Sequence, residues 1–275
     1  MNVANAIPAP EPAGRRGPRN VGLTIATVLT FLFLYLPLVV VVLYSFSATK
    51  VNAWPIQGYT LDWYRELFQD KDIWKAIRLS VFVGLIAASI AVVLGTLTAY
   101  ALDRYQFRGK PFIRFGIGLP IVLPGIVTGV ALLAYFSGTL GWNLSRWTII
   151  IGHATFCTVL IMNNVAARLS QLPRSLDEAS ADLGATPATT FRRITFPLVR
   201  PAILAGALLA FTLSFDEIVV TFFLTGREKT LPLLIWGRLR RGISPEINAA
   251  ATIIIVVSLA LVLAANWFGR RSEAK

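Results

Sequence analysis

Five stretches of the chain run for a membrane's thickness without a single Asp, Glu, Lys or Arg: Val21–Thr49, Leu79–Leu102, Phe115–Ser145, Trp147–Ala167 and Ile247–Gly269. A sixth, Pro201–Gly226, is interrupted only by Asp216 and Glu217. A helix needs about 20 apolar residues to cross about 30 Å of hydrocarbon. Only a helix satisfies its backbone within one segment there. The pattern predicts an all-α membrane protein with six transmembrane helices. The third run exceeds one span, and Ser137–Asn143 (SGTLGWN) reads as its exit loop. The first run is longer than the roughly 7–15-residue core of a signal peptide, so it reads as a retained span.

Polar stretches divide the chain further. Residues 1–20 form a Pro/Ala/Gly-rich tail expected to be disordered. The first span covers 21–47 and an outer amphipathic loop 48–76. A core of five helices covers 77–269, with a cytoplasmic segment at 168–200, and 270–275 is a second tail. In the outer loop Trp54, Tyr59, Trp63, Tyr64, Phe68 and Trp74 are suited to headgroup depth. They read as an aromatic belt, or as a docking surface for an external partner. With both termini inside, 15 of the 26 Lys and Arg fall on inner segments, including Arg15, Arg16, Arg19, Arg270 and Arg271. That bias favours the N-terminus inside, against the five basic residues of Gly226–Asn248 on the expected outer side.

Composition agrees with the pattern. Hydrophobic residues make up 55% of the 275, charged residues only 15%, and mean hydropathy is +0.65. The net charge of +12 would suggest nucleic acid in a soluble protein, but the arginines gather at the ends of apolar runs, so no nucleic acid is expected. The single cysteine, Cys157, excludes an intrachain disulfide framework, and no role is assigned to it.

The exception to this oily chain is Ser175–Pro197, SLDEASADLGATPATTFRRITFP. Ser175 and Glu178 have the spacing of a capping box. Gly184 is placed to end that helix in the left-handed conformation. Thr186 and Pro187 begin a second helix, and Pro197 and Pro201 are expected to break it before the next span. Small residues at Ala179, Ser180 and Ala181 permit close approach by another surface. A short, rigid helix pair of this kind transmits motion that a loose loop would absorb.

The passage resembles the cytoplasmic motif of ABC importer permeases: Glu-Ala-Ala, three residues, Gly, nine residues, Ile, one residue, Leu-Pro. Here Glu178, Ala179, Ser180, Gly184, Ile194 and Pro197 match that spacing, with Ser180 in place of the second Ala and Phe196 in place of Leu. Further stretches, LPIVLPGIVTGVALL, IGHATFCTVLIMNN and SFDEIVVTFFLTGREKTLPLLIW, are similar to the second permease of the spermidine/putrescine subgroup. The resemblance implies the type I importer fold, with 168–200 as the ATPase-coupling segment and Glu178, Ala179, Ser180, Leu183 and Gly184 in contact with the ATPase. It implies as partners an ATP-binding cassette ATPase dimer, a second permease, an extracytoplasmic substrate-binding protein and the lipid bilayer, in the inner membrane of a prokaryote. Polyamines are the implied cargo. An aminophosphonate, ferric iron or γ-aminobutyrate carried by the same class of machine is the alternative.

Candidate residues for the substrate route follow from membrane energetics. Pro120, Pro124, Gly125 and Gly129 lie in the third span, where they suit either a kinked gate or ordinary close packing. Asp216 and Glu217 are mid-span carboxylates, each costly unless it faces a cavity or a partner. Two acids attract a polycation. Neighbours on a helix point about 100° apart, so one is expected to line the path while the other pairs with an Arg or caps backbone. His153, the sole histidine, reads as an interhelical hydrogen-bonding residue rather than a proton relay. Asn163 and Asn164 are expected to bond to backbone or to each other.

No Gly-x-x-x-x-Gly-Lys-Ser/Thr loop occurs. The chain is therefore expected to bind no cofactor, with ATP used by a partner subunit, and to be a conduit rather than an enzyme. No metal site is expected. The rival of a different class is a self-contained membrane protein, such as an ion-coupled carrier or a membrane enzyme, in which Asp216, Glu217 and His153 would relay protons.

Overall fold

The computed structural model describes residues 21–50, 52–240, 242, 245–256 and 259. The tails 1–20 and 270–275, with Arg15, Arg16, Arg19, Arg270 and Arg271, lie outside them, as does more than half of the last apolar run, Ile247–Gly269. The chain divides into two compact units, Met1–Tyr64 with Ser244–Lys275, and Arg65–Ile243.

The first unit begins with α1, Val21–Tyr44, which has no buried residue. A helix so apolar and so uncovered by the described residues is suited to lipid or to another chain. Its hydroxyls are satisfied locally: Thr27 donates to the Leu23 carbonyl and Thr30 to that of Ala26. The outer loop then turns back on itself through an antiparallel bridge between Ser47 and Tyr59. The expected aromatic belt is split. Trp54 and Tyr59 are exposed. Trp63 donates to the Ser47 carbonyl at 2.6 Å, and the Tyr64 hydroxyl meets buried Ser45 at 2.6 Å. Those two rings fasten the loop. α2, Asp62–Gln69, carries the chain from one unit into the next. The first unit also holds an apolar helix, Pro245–Val256, which covers the start of the last apolar run. Its Asn248 donates to Asn52 of the outer loop at 3.1 Å.

The second unit is built on α3, Lys71–Arg104, with α6, Arg146–Leu169, and α9, Phe196–Asp216, packed along it. α3 is longer than the apolar run 79–102, because its first two turns are polar and start at a built cap. Asp70 accepts the amides of Asp72 and Ile73 and is bonded by Arg238 at 2.5 Å. Burial opposes ionisation of Asp70, yet the Arg238 bond and the two amides outweigh it and hold the carboxyl below its ordinary value. The helices meet over small residues. A Cβ on Gly95 would lie 2.7 Å from the Ile161 side chain and 2.8 Å from the Thr158 carbonyl oxygen. Close backbone approach is the usual means of packing helices where lipid removes the hydrophobic drive.

Span three is not a kinked helix. α4, Lys110–Val122, and α5, Gly125–Leu133, meet at 103° across Leu123 and Pro124. Pro124 has no N–H to continue the ladder and holds an extended conformation at the start of α5. A π-helical stretch, Ala134–Thr139, carries α5 into the expected exit loop. Four helices among the described residues are long and apolar enough to cross a membrane, or five if the bent pair is one span.

The expected break at Pro197 and Pro201 is absent. α8, Pro187–Thr190, a π-helical turn Phe191–Thr195 and α9 form one 30-residue helix, Pro187–Asp216. The Phe196 amide reaches back five residues to the Phe191 carbonyl. This widened turn sits just ahead of Pro197, where a proline ring would otherwise crowd the carbonyl four residues back.

Candidate functional site

Two features of the second unit gather the residues singled out by sequence: a polar helical hairpin, and a helix junction bearing both membrane carboxylates.

The hairpin consists of α7, Ser175–Asp182, a turn, and α8. The capping box does not form. The residue preceding the helix is Arg174, already helical, and no side-chain cap bond is made there. The carbonyls of Pro173 and Arg174 accept the amides of Leu176, Asp177 and Glu178, which leaves Ser175 inside the first turn. The other end forms as expected. Gly184 has φ +75°. Its amide bonds to the Ala181 carbonyl at 2.8 Å, and that of Ala185 to the Ser180 carbonyl at 3.0 Å. This is the paired-bond helix stop that a left-handed glycine permits. Thr186 then caps α8, accepting the Thr189 amide, with Pro187 in the first turn.

Of the five expected contact residues, Glu178, Ala179, Leu183 and Gly184 are exposed. Leu183 is 89% exposed, an apolar side chain standing clear of the chain that carries it. Ser180 is not on that face. It is buried, with its hydroxyl 2.9 Å from that of Thr190. The departure from Ala at this position thus has an internal reason: it bonds α7 to α8. On the opposite side of α7, Asp177 lies 2.8 Å from Arg104 at the end of α3. Sequence reasoning missed Arg104 and Thr190 because neither is close to its partner along the chain.

Asp216 and Glu217 do not sit mid-helix. α9 ends at Asp216, Glu217 is extended, and α10, Val219–Leu224, follows. The two acids divide their tasks as neighbours must. Glu217 Oε1 accepts the Val220 amide at 3.0 Å and so caps the start of α10. Asp216 is exposed to a groove of about 390 Å³ with Leu160, Leu209, Thr212, Leu213 and Glu217. The apolar walls and the charged end suit a short chain of methylenes ending in an ammonium group. The negative end of the α9 dipole points the same way.

His153, fully buried on α6, clamps the junction from within. Nδ1 lies 2.7 Å from Ser214 Oγ on α9, and Nε2 2.9 Å from Thr221 Oγ1 on α10. The Thr221 hydroxyl proton goes to the Glu217 carbonyl at 2.8 Å. Nε2 therefore carries the ring proton and Nδ1 accepts from Ser214. Both nitrogens are spent on structure, as the interhelical reading expects. Asn164 donates to the Leu160 carbonyl, and the Cys157 thiol is directed at that of Ala210.

Pro124 and Gly125 lie apart from the carboxylate groove, at the broken third span. A Cβ on Gly125 would touch Val219 at 3.6 Å, and one on Gly129 would come within 2.7 Å of the Phe223 ring. These residues bring α5 against α10, directly beyond the junction. Among the described residues no group of three or more His, Cys, Asp or Glu is placed to hold a metal ion.

Comparisons with known proteins agree with this geometry. Residues 91–275 match the family described as binding-protein-dependent transport system inner membrane component. The chain is 42% identical over 236 residues to the putrescine transport system permease protein PotI of Escherichia coli (strain K12), covering 83% of each. It is 38% identical over 242 residues to the spermidine/putrescine transport system permease protein PotC of the same strain, covering 87% of this chain and 90% of that one. Among solved structures, a chain of the bacterial alginate ABC transporter in complex with an alginate pentasaccharide-bound periplasmic protein superposes with a TM-score of 0.69 at 19% identity. That match covers 91% of this chain and 93% of the other. A chain of the inward-facing MetNI methionine ABC transporter superposes at 0.57 and 16% identity, over 75% of this chain and 95% of that one. The polar hairpin, the apolar helices and these relationships lead to one assignment: the chain belongs to the binding-protein-dependent transport system inner membrane component family, as a multi-pass permease of the type I ABC importer fold.

Proposed function

We propose that this permease forms half of the translocation path of an ATP-driven importer for polyamines such as putrescine and spermidine. A second permease supplies the other half, an extracytoplasmic binding protein delivers the cargo, and both termini lie in the cytoplasm. An ATPase dimer, which uses the ATP, grips the exposed face of α7 formed by Glu178, Ala179, Leu183 and Gly184. Leu183 is almost fully exposed on that face, which leaves it open to a partner and supports that contact. Closure of the ATPases swings α7 and drives the path between inward- and outward-facing states.

The cargo rests on one observation above the others: Asp216 presents its carboxylate to an apolar-walled groove at the C-terminal end of a membrane helix. The identity to putrescine and spermidine/putrescine permeases points to the same chemistry. Asp216→Asn keeps the shape and removes the charge. Loss of an ammonium–carboxylate contact of about 1.5–3 kcal/mol lowers uptake roughly 10- to 150-fold. Labelled putrescine uptake, with the amount of permease in the membrane measured alongside, tests this. Undiminished uptake by Asp216→Asn removes Asp216 from the route.

A further inference from the structure

Arg104 and Asp177 stand outside everything assigned so far. Asp177 lies within the coupling motif but does not face outward with Glu178. Its carboxylate is 2.8 Å from Arg104 Nε, and Arg104 Nη1 is 3.2 Å from Asp103. The Arg104 side chain is only 10% exposed and that of Asp177 28%. One residue before α7, Arg174 donates back to the Asp103 carbonyl at 3.4 Å. The end of α3 and the start of α7 are therefore tied at two points. Exposed ion pairs contribute little, but this guanidinium is nearly covered and shared between two carboxylates. The contact with Asp177 is an ion pair rather than an aligned hydrogen bond, so it acts through charge and distance.

Within the hairpin, the Ser180–Thr190 bond ties α7 to α8, which runs without interruption into α9. Tyr100 of α3 meets Phe191 edge-on at 4.9 Å, which braces the same corner. Farther along, α3 and α9 touch closely where Gly84 faces Phe211. A displacement of α7 thus has two exits, through Thr190 into α9 and through Arg104 into α3. With both in place, the two helices are driven together toward the junction where α9 ends at Asp216. With the Arg104 exit removed, only the 3.4 Å Arg174 bond holds the start of α7 to α3, and α7 loads chiefly α9.

We infer that the Arg104–Asp177 pair is a transmission strut: it fixes the coupling helix to α3, so that movement imposed on α7 by the ATPase is delivered to both core helices at once. This rests on α7 being the coupling helix. Asp177 and Arg104 are positioning residues and belong to neither the ATPase contact nor the cargo route.

The test uses the complete transporter in proteoliposomes, with both permeases, the ATPase and the binding protein, and labelled putrescine as probe. ATP hydrolysis and uptake are followed in the same preparation for Asp177→Asn, Arg104→Gln and the charge-conserving Asp177→Glu. The expected result is unchanged ATPase association and hydrolysis in Asp177→Asn and Arg104→Gln. Putrescine taken up per ATP falls by about fivefold or more, the lower end of ordinary coupling between sites, and Asp177→Glu recovers much of it. Should Arg104→Gln fail to assemble, Asp177→Asn, which leaves no buried cation without a neighbouring acid because Asp103 remains, decides alone. Uptake per ATP equal to that of the unaltered transporter overturns the strut. So does loss of ATPase association in Asp177→Asn, which would make Asp177 a docking residue. Absence of ATP-driven putrescine uptake in the unaltered transporter overturns the proposed polyamine function, and the strut, which is read through that uptake, falls with it.

Discussion

At the residue scale, His153 carries more of the architecture than its position in a membrane helix suggests. A charged or half-satisfied imidazole in hydrocarbon is expensive, and this one avoids the expense by bonding at both nitrogens. Its two partners stand on either side of the α9–α10 junction, so the ring is a cross-brace for the segment that presents Asp216. His153→Ala removes two buried bonds and leaves a cavity. A destabilisation of about 2–4 kcal/mol is expected. Thermal unfolding of the purified permease in detergent should show the midpoint lowered by about 5–10 °C. His153→Gln, which retains one bond, should fall between. An unchanged midpoint for the alanine variant would show that the brace bears no load. Sequence alone identified the histidine as interhelical from its solitude, but its partners Ser214 and Thr221 lie 61 and 68 residues away and were not legible.

At the element scale, packing depends on glycines where helices cross. Gly95 is the clearest case, since a methyl there meets the backbone carbonyl of Thr158, which cannot rotate away. Gly95→Ala should destabilise the permease by about 1–3 kcal/mol by overpacking. Gly116→Ala, in α4 with open space around it, should be neutral or stabilise by about 0.4–1 kcal/mol. Thermal unfolding of the two variants in parallel checks the contrast. Equal midpoints would mean that α3 and α6 separate more freely than their contact implies. The same elements show what the apolar pattern can and cannot convey. Runs of hydrophobic residues mark helices reliably because lipid permits little else. They do not mark direction. Nothing in Phe115–Ser145 distinguishes a kink at Pro124 from the 103° turn that occurs there. Nor does the run before Pro197 disclose that a π-turn lets the helix continue through it. Gly184 and Thr186 were readable because a helix stop and a helix cap are local, settled within about five residues. The Ser175 cap was also a local expectation, and it failed because Pro173 and Arg174 started the turn one residue earlier.

At the scale of the whole molecule, the permease exposes the surface that a subunit rather than a finished machine should expose. α1 is apolar on every side and buried on none. Leu183 projects from a polar hairpin, and Asp216 faces a groove open to one side. On the proposed function these surfaces meet, in turn, lipid or a second permease, an ATPase, and a cationic cargo. The chain therefore needs its partners to transport anything, and the importer reading stands or falls on transport by the assembled system. Labelled putrescine and spermidine uptake should be measured in cells with and without this permease, with the partner subunits present and no second polyamine importer active. The account predicts that uptake is lost when the permease is deleted, returns when it is restored, and is competed by polyamines but not by γ-aminobutyrate. Polyamine uptake unaffected by the deletion would contradict the assigned cargo and leave Asp216 without the role given to it here.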